Sequence, residues 1–433
     1  MHGAAATGHR RFRAVTRPLG PTVAALTLVV LAAACTDDAA SAPTTSDVAV
    51  TVVDDRSTPD GQLRIGVVLP LTGTGSQLGT SMLDAIERAE SEIAGLGVNE
   101  REVDVVVIDE ATLGGAIPPV DLLFPTEVDA VIGPASSLLA ERLVPALVDQ
   151  EVLTCSPTAS TMALDEFPDT RPLFIRTVPS DSMQARALAR QLDSTGTAIV
   201  LAYVGDAYGE RYAEAVGREL ATRGAPAPTL VRFDPAEPDY SGVAARIVAT
   251  GAPTIGIVGD PEAGPRLVQS LAEVLDPDVQ TSIWMNDSMR VPSTGNTYRR
   301  LPDEVLAIMR GVSPRSSVDA STTSSNPDGW RLFAANAYDC FNVIALAAEQ
   351  APSIDGRSMA ELVVPTTSGG TPCSTYRSCI EQLRAGRGID YDGPTGELQI
   401  ERDGDPGVGL FDTYRFEDGL DVTDRTTAVR VLR

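Results

Sequence analysis

The chain has 433 residues, 43% of them hydrophobic, with 34 basic against 59 acidic side chains and a net charge of −25. So acidic a surface repels nucleic acid and anionic headgroups, and neither is expected as a partner. There is no lysine, and both histidines, His2 and His9, fall in the first ten residues. The rest of the chain therefore has no histidine base or ligand, no Schiff-base lysine and no P-loop lysine. Carboxylate-only chemistry, as in glycoside hydrolysis, is left open, but the sequence shows no such pair. Binding is expected rather than catalysis, with no metal and no cofactor.

Residues 1–34 hold Arg10, Arg11, Arg13 and Arg17, then an apolar run from Val23 to Ala34, then Cys35. A basic start, an apolar centre and small residues at the end make a secretory signal, too short to span a membrane. Leu31-Ala32-Ala33-Ala34-Cys35 resembles a bacterial lipobox, in which the cysteine is lipidated and becomes the first residue. The leucine lies four residues before the cysteine instead of the usual three. The alternative is plain secretion with Cys35 a bystander. Loss of the signal's four arginines leaves the mature chain at −29. Residues 35–62 read as the acylated cysteine and a small, acidic, Pro/Ser/Thr-bearing tether, about 25–30 Å end to end as a flexible coil. The patch Val48–Val53 has no evident pairing partner.

The folded part is predicted to start with the strand Leu63–Pro70, the turn LTGTGSQLG and a helix over 80–94. A strand follows at Glu102–Asp109. Residues 129–161 form a β-α-β unit: Ala130–Ile132 and Val152–Cys155 bracket a helix in which Leu139, Leu143, Leu147 and Val148 recur at helical spacing. Each strand of the unit ends in a polar elbow, Gly133-Pro134-Ala135-Ser136-Ser137 and Ser156-Pro157-Thr158-Ala159-Ser160. In open α/β sheets ligands sit beyond the carboxyl ends of strands, and hydroxyls with free N–H groups suit a small anion. The plainer alternative is a pair of ordinary serine caps and turns. After Leu173–Thr177 the alternation restarts: helix 182–193, strand 197–204, helix 209–223, strand 229–233, helix 241–250, strand 254–258, helix 264–275, strand 280–286. Strands alternating with helices of this length mean parallel sheets, and two such runs mean two lobes.

Beyond a polar loop at 312–329 come a long helix, Trp330–Glu349, a helix over 358–363 and another near Ile380–Ala385. Strands joined by Gly/Asp turns close the chain. Cys373 and Cys379 sit in a polar stretch and are expected to form a local disulfide in an oxidising compartment. Cys155 ends an apolar strand and Cys340 lies in an apolar helix, so both are read as small core residues, and whether they pair is open.

The elbow LPLTGTGSQLG, the VIGPASS and CSPTAST turns, the FIRTVPSD crossover and VGDAYGERYAEAV occur in the order and spacing of one known family. From Leu63 to Asp412 the chain resembles the periplasmic binding proteins of branched-chain amino acid (leucine/isoleucine/valine) ABC transporters. Its cysteine-bearing tail and YDGPTGELQI resemble the lipoprotein members from high-GC Gram-positive bacteria. The resemblance implies an α/β fold of two Rossmann-like lobes, with parallel central sheets joined by a hinge (the type I periplasmic-binding-protein fold), closing on a ligand. It places 63–178 plus 311–412 in the N-terminal lobe and 179–310 plus 413–433 in the C-terminal lobe.

By the same resemblance Ser137, Thr158 and Ser160 correspond to the first lobe's grip on an amino acid. Tyr208 covers the ligand from the second lobe, and Asp287 takes its ammonium. On the residues alone Tyr208 is a packed aromatic and Asp287 a surface acid near a turn. Trp284, beside Asp287, is read as apolar wall or core. The chain departs from the family where aromatics are common, at Leu78 and Gly259, and Asp287 is one methylene shorter than the usual glutamate, which leaves side-chain specificity open. The expected protein is a monomeric, membrane-anchored solute-binding lipoprotein, extracytoplasmic, presenting an amino acid or similar small polar molecule to an ABC permease. The rivals are a ligand-sensing receptor lipoprotein of the same fold and an amide- or urea-type binder.

Overall fold

The structure is a computed structural model that describes residues 61–114, 118–124, 126–165, 173–276, 279–290, 297–315 and 332–433. The signal, Cys35, nearly all of the tether, the Val48–Val53 patch, Trp330 and most of the 312–329 loop lie outside the described residues.

The first lobe is a five-stranded parallel sheet in the order β2-β1-β3-β4-β5. Its strands are β1 (Leu63–Leu69), β2 (Val103–Asp109), β3 (Ala130–Ile132), β4 (Leu153–Ser156) and β5 (Phe174–Arg176). Its early helices are α1 (Ser76–Ile93), the single turn α2 (Val120–Leu123) and α3 (Ser137–Asp149). Every residue of β1, LRIGVVL, is buried, as expected of a strand covered on both faces.

The chain then enters the second lobe through α4 (Asp181–Leu192), β6 (Ile199–Val204), α5 (Ala207–Thr222), β7 (Thr229–Phe233) and α6 (Ser241–Val248). β8 (Thr254–Val258), α7 (Ala263–Ala272), β9 (Ser282–Met285), α8 (Asp303–Ile308) and β10 (Met309–Pro314) follow. It returns to the first lobe as α9 (Ala334–Gln350), α10 (Gly356–Thr366), β11 (Thr371–Cys373), α11 (Tyr376–Arg384) and β12 (Ile389–Tyr391). Finally it goes back to the second sheet as β13 (Val408–Glu417) and β14 (Leu420–Leu432).

That second sheet has seven strands, β14-β13-β10-β9-β8-β6-β7; β6 to β10 run parallel, and β13 runs antiparallel to both its neighbours, β10 and β14. Asp418 (φ 51°) and Gly419 (φ 73°) make the tight β13–β14 turn, where both residues need positive φ. The lobe boundary expected between residues 412 and 413 falls inside β13, which pairs with β10 and β14 along its length, and β10 itself starts at Met309. The alternating pattern at 408–416 looks the same in either lobe, so sequence gave no means of placing it.

α9 is apolar around its whole circumference and is buried from Ala334 to Ala348, packed against α1, α10, α11 and the ends of β3 and β4. It carries one charge into the core. The Asp339 carboxylate receives the Tyr391 hydroxyl at 2.7 Å, the Thr395 N–H at 3.2 Å and the Thr395 hydroxyl.

Cys373, at the end of β11, and Cys379, in the first turn of α11, are bonded, closing a loop of sequence separation 6. Cys155 and Cys340, read as small core residues with their pairing left open, are also bonded, at the end of β4 and within α9. Their separation of 185 residues spans the whole excursion into the second lobe. Both cysteines are fully buried, so burial and local composition resembled those of ordinary core cysteines.

Candidate functional site

The carboxyl ends of β3, β4, β6 and β9 are each followed by a segment that carries sequence-predicted site residues. At the first elbow Gly133 has φ 110°, and a Cβ there would stand 2.2 Å from the Val68 carbonyl, so only glycine lets the turn come this close to β1. Ser136 caps α3, accepting the Leu139 N–H at 3.3 Å, and Ser137 opens the helix, half-buried.

The elbow's own N–H groups are largely used within the chain. Ala135 and Ser136 donate theirs to the Glu110 carboxylate at 2.8 and 3.0 Å. Burial pushes Glu110 above the usual carboxylate range, and Asp109 adds to this, while those two N–H groups pull the other way. The sequence expectation of a bare N–H cradle at this turn is corrected here: the donor groups of Ala135 and Ser136 are already capped by the side chain of Glu110, just past β2, which lies on the far side of β1. Thr158, at the second elbow, donates its hydroxyl to the Ala135 carbonyl at 2.5 Å and so ties the two elbows together.

Ser160 turns toward the second lobe. Its carbonyl accepts the Asp181 N–H at 2.8 Å, and its hydroxyl bonds the Asp181 side chain. Asp181 starts α4, directly after the first passage between lobes, and is 1% exposed. Asp287, just past β9 on the second sheet, is 6% exposed, and its charge acts directly on Asp181. Between them Gln184 accepts the Tyr212 hydroxyl at 2.7 Å and, at 3.5 Å, the Asp287 N–H. Tyr208 opens α5 half-buried; its hydroxyl accepts the Asn286 Nδ2 hydrogen at 2.9 Å, and its ring lies 5.8 Å from that of Tyr212.

Ser160, Tyr208 and Asp287 are thus brought to one place, where the two lobes meet, while Ser137 and Thr158 stay on the first-lobe elbows. The sequence reading does not single out Asp181 or Gln184. Their signal was the FIRTVPSD crossover followed by SMQ, an acid at a helix start with an amide one turn on.

The electrostatics of this junction are unusual. Burial, then the nearby Asp287 charge, push Asp181 up to about 8; the Ser160 hydroxyl and Arg176 act against this. Burial pushes Asp287 up to about 6, against Gln184, two backbone N–H groups and Arg290. Both arginines are committed elsewhere. Arg176, fully buried, bonds Asp405 at 2.6 Å, Asp165 at 2.8 Å and the Ala159 and Thr161 carbonyls, each at 3.2 Å. Arg290 bonds Asp421 at 2.8 Å, the Ser313 hydroxyl at 2.7 Å and the Thr423 hydroxyl at 2.6 Å. A cationic group reaching Asp181 and Asp287 would find acceptors, not competitors.

Asn286, fully buried, holds the Gly259 backbone through both its N–H (3.1 Å) and its carbonyl (3.0 Å). A Cβ on Gly259 would lie 2.8 Å from the Gly264 Cα and 2.9 Å from the Met289 sulfur, so this position has no room for the family's aromatic. Leu78 packs against the first-lobe core. Trp284, Tyr208 and Met162, all partly buried, pack on one apolar cluster of the second lobe, which gives the junction a greasy side next to its acids. Among the described residues no cluster of His, Cys, Asp and Glu has the arrangement of a metal site.

A family model described as "Periplasmic binding protein" matches residues 62–418. Over 380 residues the chain is 25% identical to BasB, the chemotactic signal transduction system substrate-binding protein of Halobacterium salinarum, covering 83% of this chain and 88% of that protein. Among solved structures it is similar to LivJ of Streptococcus pneumoniae in complex with isoleucine, with TM-score 0.63 and 18% identity over 86% of this chain and all of that one. It is equally similar to an R. palustris solute-binding protein in complex with 4-hydroxybenzoate, with TM-score 0.62 and 15% identity over 86% of this chain and 98% of that one.

Proposed function

The chain belongs to the periplasmic binding protein family, with its two-lobed type I fold, and from that premise we propose that it senses a small ammonium-bearing solute of the amino-acid class. It is a solute-binding protein and not an enzyme. The observation that carries the ligand reading is the meeting of Ser160, Tyr208 and Asp287 at the lobe junction beside a second buried acid. In this reading the ligand lies in the interlobe cleft. Asp287 takes its ammonium, and Ser137, Thr158 and Ser160 hold its polar end. Tyr208 and Trp284 wall its side chain. Closure follows from better fit to the closed state, since a ligand shifts an equilibrium only by its differential affinity.

The sensing role, reporting ligand to a membrane partner, is supported by the chemotactic relative, which matches along most of both chains. Import through an ABC permease is the second reading, favoured by the fold's likeness to transporter proteins such as LivJ. In both the protein is extracytoplasmic, held to the membrane by a lipid on Cys35, as in high-GC Gram-positive lipoproteins.

Calorimetric titration with the common amino acids, short amides, urea and sugars, after a thermal-shift screen, tests the ligand. Micromolar or tighter binding of one amino acid, abolished by Asp287→Asn and weakened by Ser160→Ala, is the expected result. Binding confined to uncharged amides would remove Asp287 from its role. Uptake of that ligand by cells lacking the gene separates the two roles: unchanged uptake with a lost response fits sensing, and lost uptake fits import.

A further inference from the structure

We propose that Asp181 is a second ammonium-binding carboxylate of this site, and that Asp181 and Asp287 share one proton that the ligand's cationic group displaces. The inference rests on the ammonium reading above and adds a residue and a proton to it. Its basis is geometric. Asp181 Oδ1 is buried without a hydrogen-bond partner, and so is Nε2 of Gln184, which is itself 1% exposed. Unpaired polar atoms at this depth are costly, and a pair of them beside two acids marks a place where a further polar group completes the set.

The charged and titratable groups facing Asp181 come from every element packed on it. They are Asp287 beyond β9, Arg176 on β5, Asp165 after the second elbow, and Tyr208 and Tyr212 on α5. Asp287 faces in addition Arg290 and, from β13, Tyr414. Both arginines are tied to other carboxylates, so among these groups no free cation balances the pair. Two dry, adjacent carboxylates do not both ionise without a counter-charge, and they titrate as a unit. Without ligand, the unit keeps one proton near neutral pH. With ligand, a primary ammonium supplies the positive charge and donates to Asp181 Oδ1 as well as to Asp287. One O–H bond then breaks and its proton leaves to solvent, so one cation enters for one proton released. Burial pushes both acids in the direction this exchange needs, and for Asp181 the Asp287 charge adds to it.

The test is titration calorimetry of the intact protein with L-leucine, in phosphate and in Tris, across pH 5.5 to 8.5. Their different ionisation heats count the protons released. The expected result is release of close to one proton below about pH 8, with affinity rising up to about tenfold per pH unit between roughly 6 and 8. Asp181→Asn is expected to abolish that slope and to weaken leucine about tenfold at pH 8. The des-amino counterpart, 4-methylpentanoate, is expected not to bind. Leucine binding with a flat pH profile and no proton release overturns this inference and leaves the function standing. So does wild-type affinity in a folded Asp181→Asn. If leucine, putrescine and choline all fail to bind, or if 4-methylpentanoate binds as well as leucine, the ammonium reading falls and this inference with it. Should Asp181→Asn not fold, the proton count on the unaltered protein decides.

Discussion

The core of the first lobe and the junction between the lobes both bury aspartate, and they treat it differently. Asp339 is fully hidden in α9, with two hydroxyls and a backbone N–H donated to its carboxylate. Asp181 is as well hidden, but one of its oxygens faces no donor, and its strongest charged neighbour is another acid. A buried carboxylate surrounded by donors organises a fold, and its neighbours return part of the cost of desolvating it. One left short of donors destabilises the protein by itself and makes sense if something else arrives. The contrast separates structural from functional acids more sharply than burial does, and each prediction below tries to break or refine it.

The largest effect is expected where neither kind of acid is involved. Cys155–Cys340 fastens the first-lobe segments on either side of the second-lobe excursion, with a separation of 185 residues. Chain entropy alone gives its loss a cost of about 5 kcal/mol, against about 2 kcal/mol for the short Cys373–Cys379 loop. Paired Cys→Ser variants compared by urea denaturation check this. Ligand affinity of the first variant, measured where it is folded, should be unchanged. A weakened ligand there would mean that the core disulfide and the junction are coupled, contrary to the separation drawn above.

Next come the acids themselves. Asp339→Ala strands the Tyr391 and Thr395 donors in the core and is expected to cost about 2–4 kcal/mol of stability. It should leave affinity unaltered. Asp287→Asn should do the reverse: little loss of stability, and at least about thirtyfold weaker binding of an ammonium-bearing ligand, as when one partner of a buried charge pair is removed. Denaturation and calorimetry on the two variants form a crossed design. If both variants lose both properties, the distinction fails.

The pH dependence of stability is a finer probe, because it registers both regions at once. Burial raises Asp339 to about 7, Asp181 to about 8 and Asp287 to about 6, whereas unfolded aspartate titrates near ~3.9. Between those values the folded chain binds more protons than the unfolded one, so these groups' contribution is complete at about pH 4 and is lost as pH rises through 6, 7 and 8. Asp392, pushed to about 6 by burial and by Asp390, and Glu110, also raised, act in the same sense. The midpoint of thermal unfolding is expected to fall by roughly 5 °C from pH 5 to pH 8.5. Saturating ligand should remove the share due to Asp181 and Asp287. Asp339→Asn should remove a different share and leave the ligand's effect intact.

Much of this was legible in the sequence, for reasons that differ from residue to residue. Thr229–Phe233 and Thr254–Val258 are strands with the predicted bounds, because short β-branched runs between turn residues admit few other readings. α9 was evident as an unbroken apolar helix, although its start at Ala334 lies past the predicted Trp330. Tyr208 and Asp287 were reachable through family motifs. The Cys155–Cys340 bond, the Glu110 cap on the first elbow and the Asp181–Asp287 pairing were not. Each joins residues at least 25 positions apart, and each partner taken alone looks like an ordinary core cysteine, strand-end acid or helix-start aspartate. Charge and hydropathy patterns report which face a residue is on, not which residue it meets there.

The smallest predicted effect concerns Tyr208, which stands at the edge of the contrast. Its hydroxyl accepts a hydrogen from Asn286, which also holds Gly259, so the group belongs partly to the fold of the second-lobe crest. It also feels the charges of Asp181 and Asp287, and burial together with those charges keeps the phenol well above its ordinary range, neutral at every working pH. Tyr208→Phe keeps the tilted ring contact with Tyr212 and deletes only the hydroxyl. One neutral hydrogen bond contributes about 0.5–1.5 kcal/mol, so ligand affinity should fall by roughly two- to tenfold with the pH slope retained. Asn286 would keep its two bonds to Gly259, and stability should change little. A Tyr208→Phe variant that lost the pH slope would make the phenol part of the titrating unit, and the acid pair would then have to be redrawn as a triad.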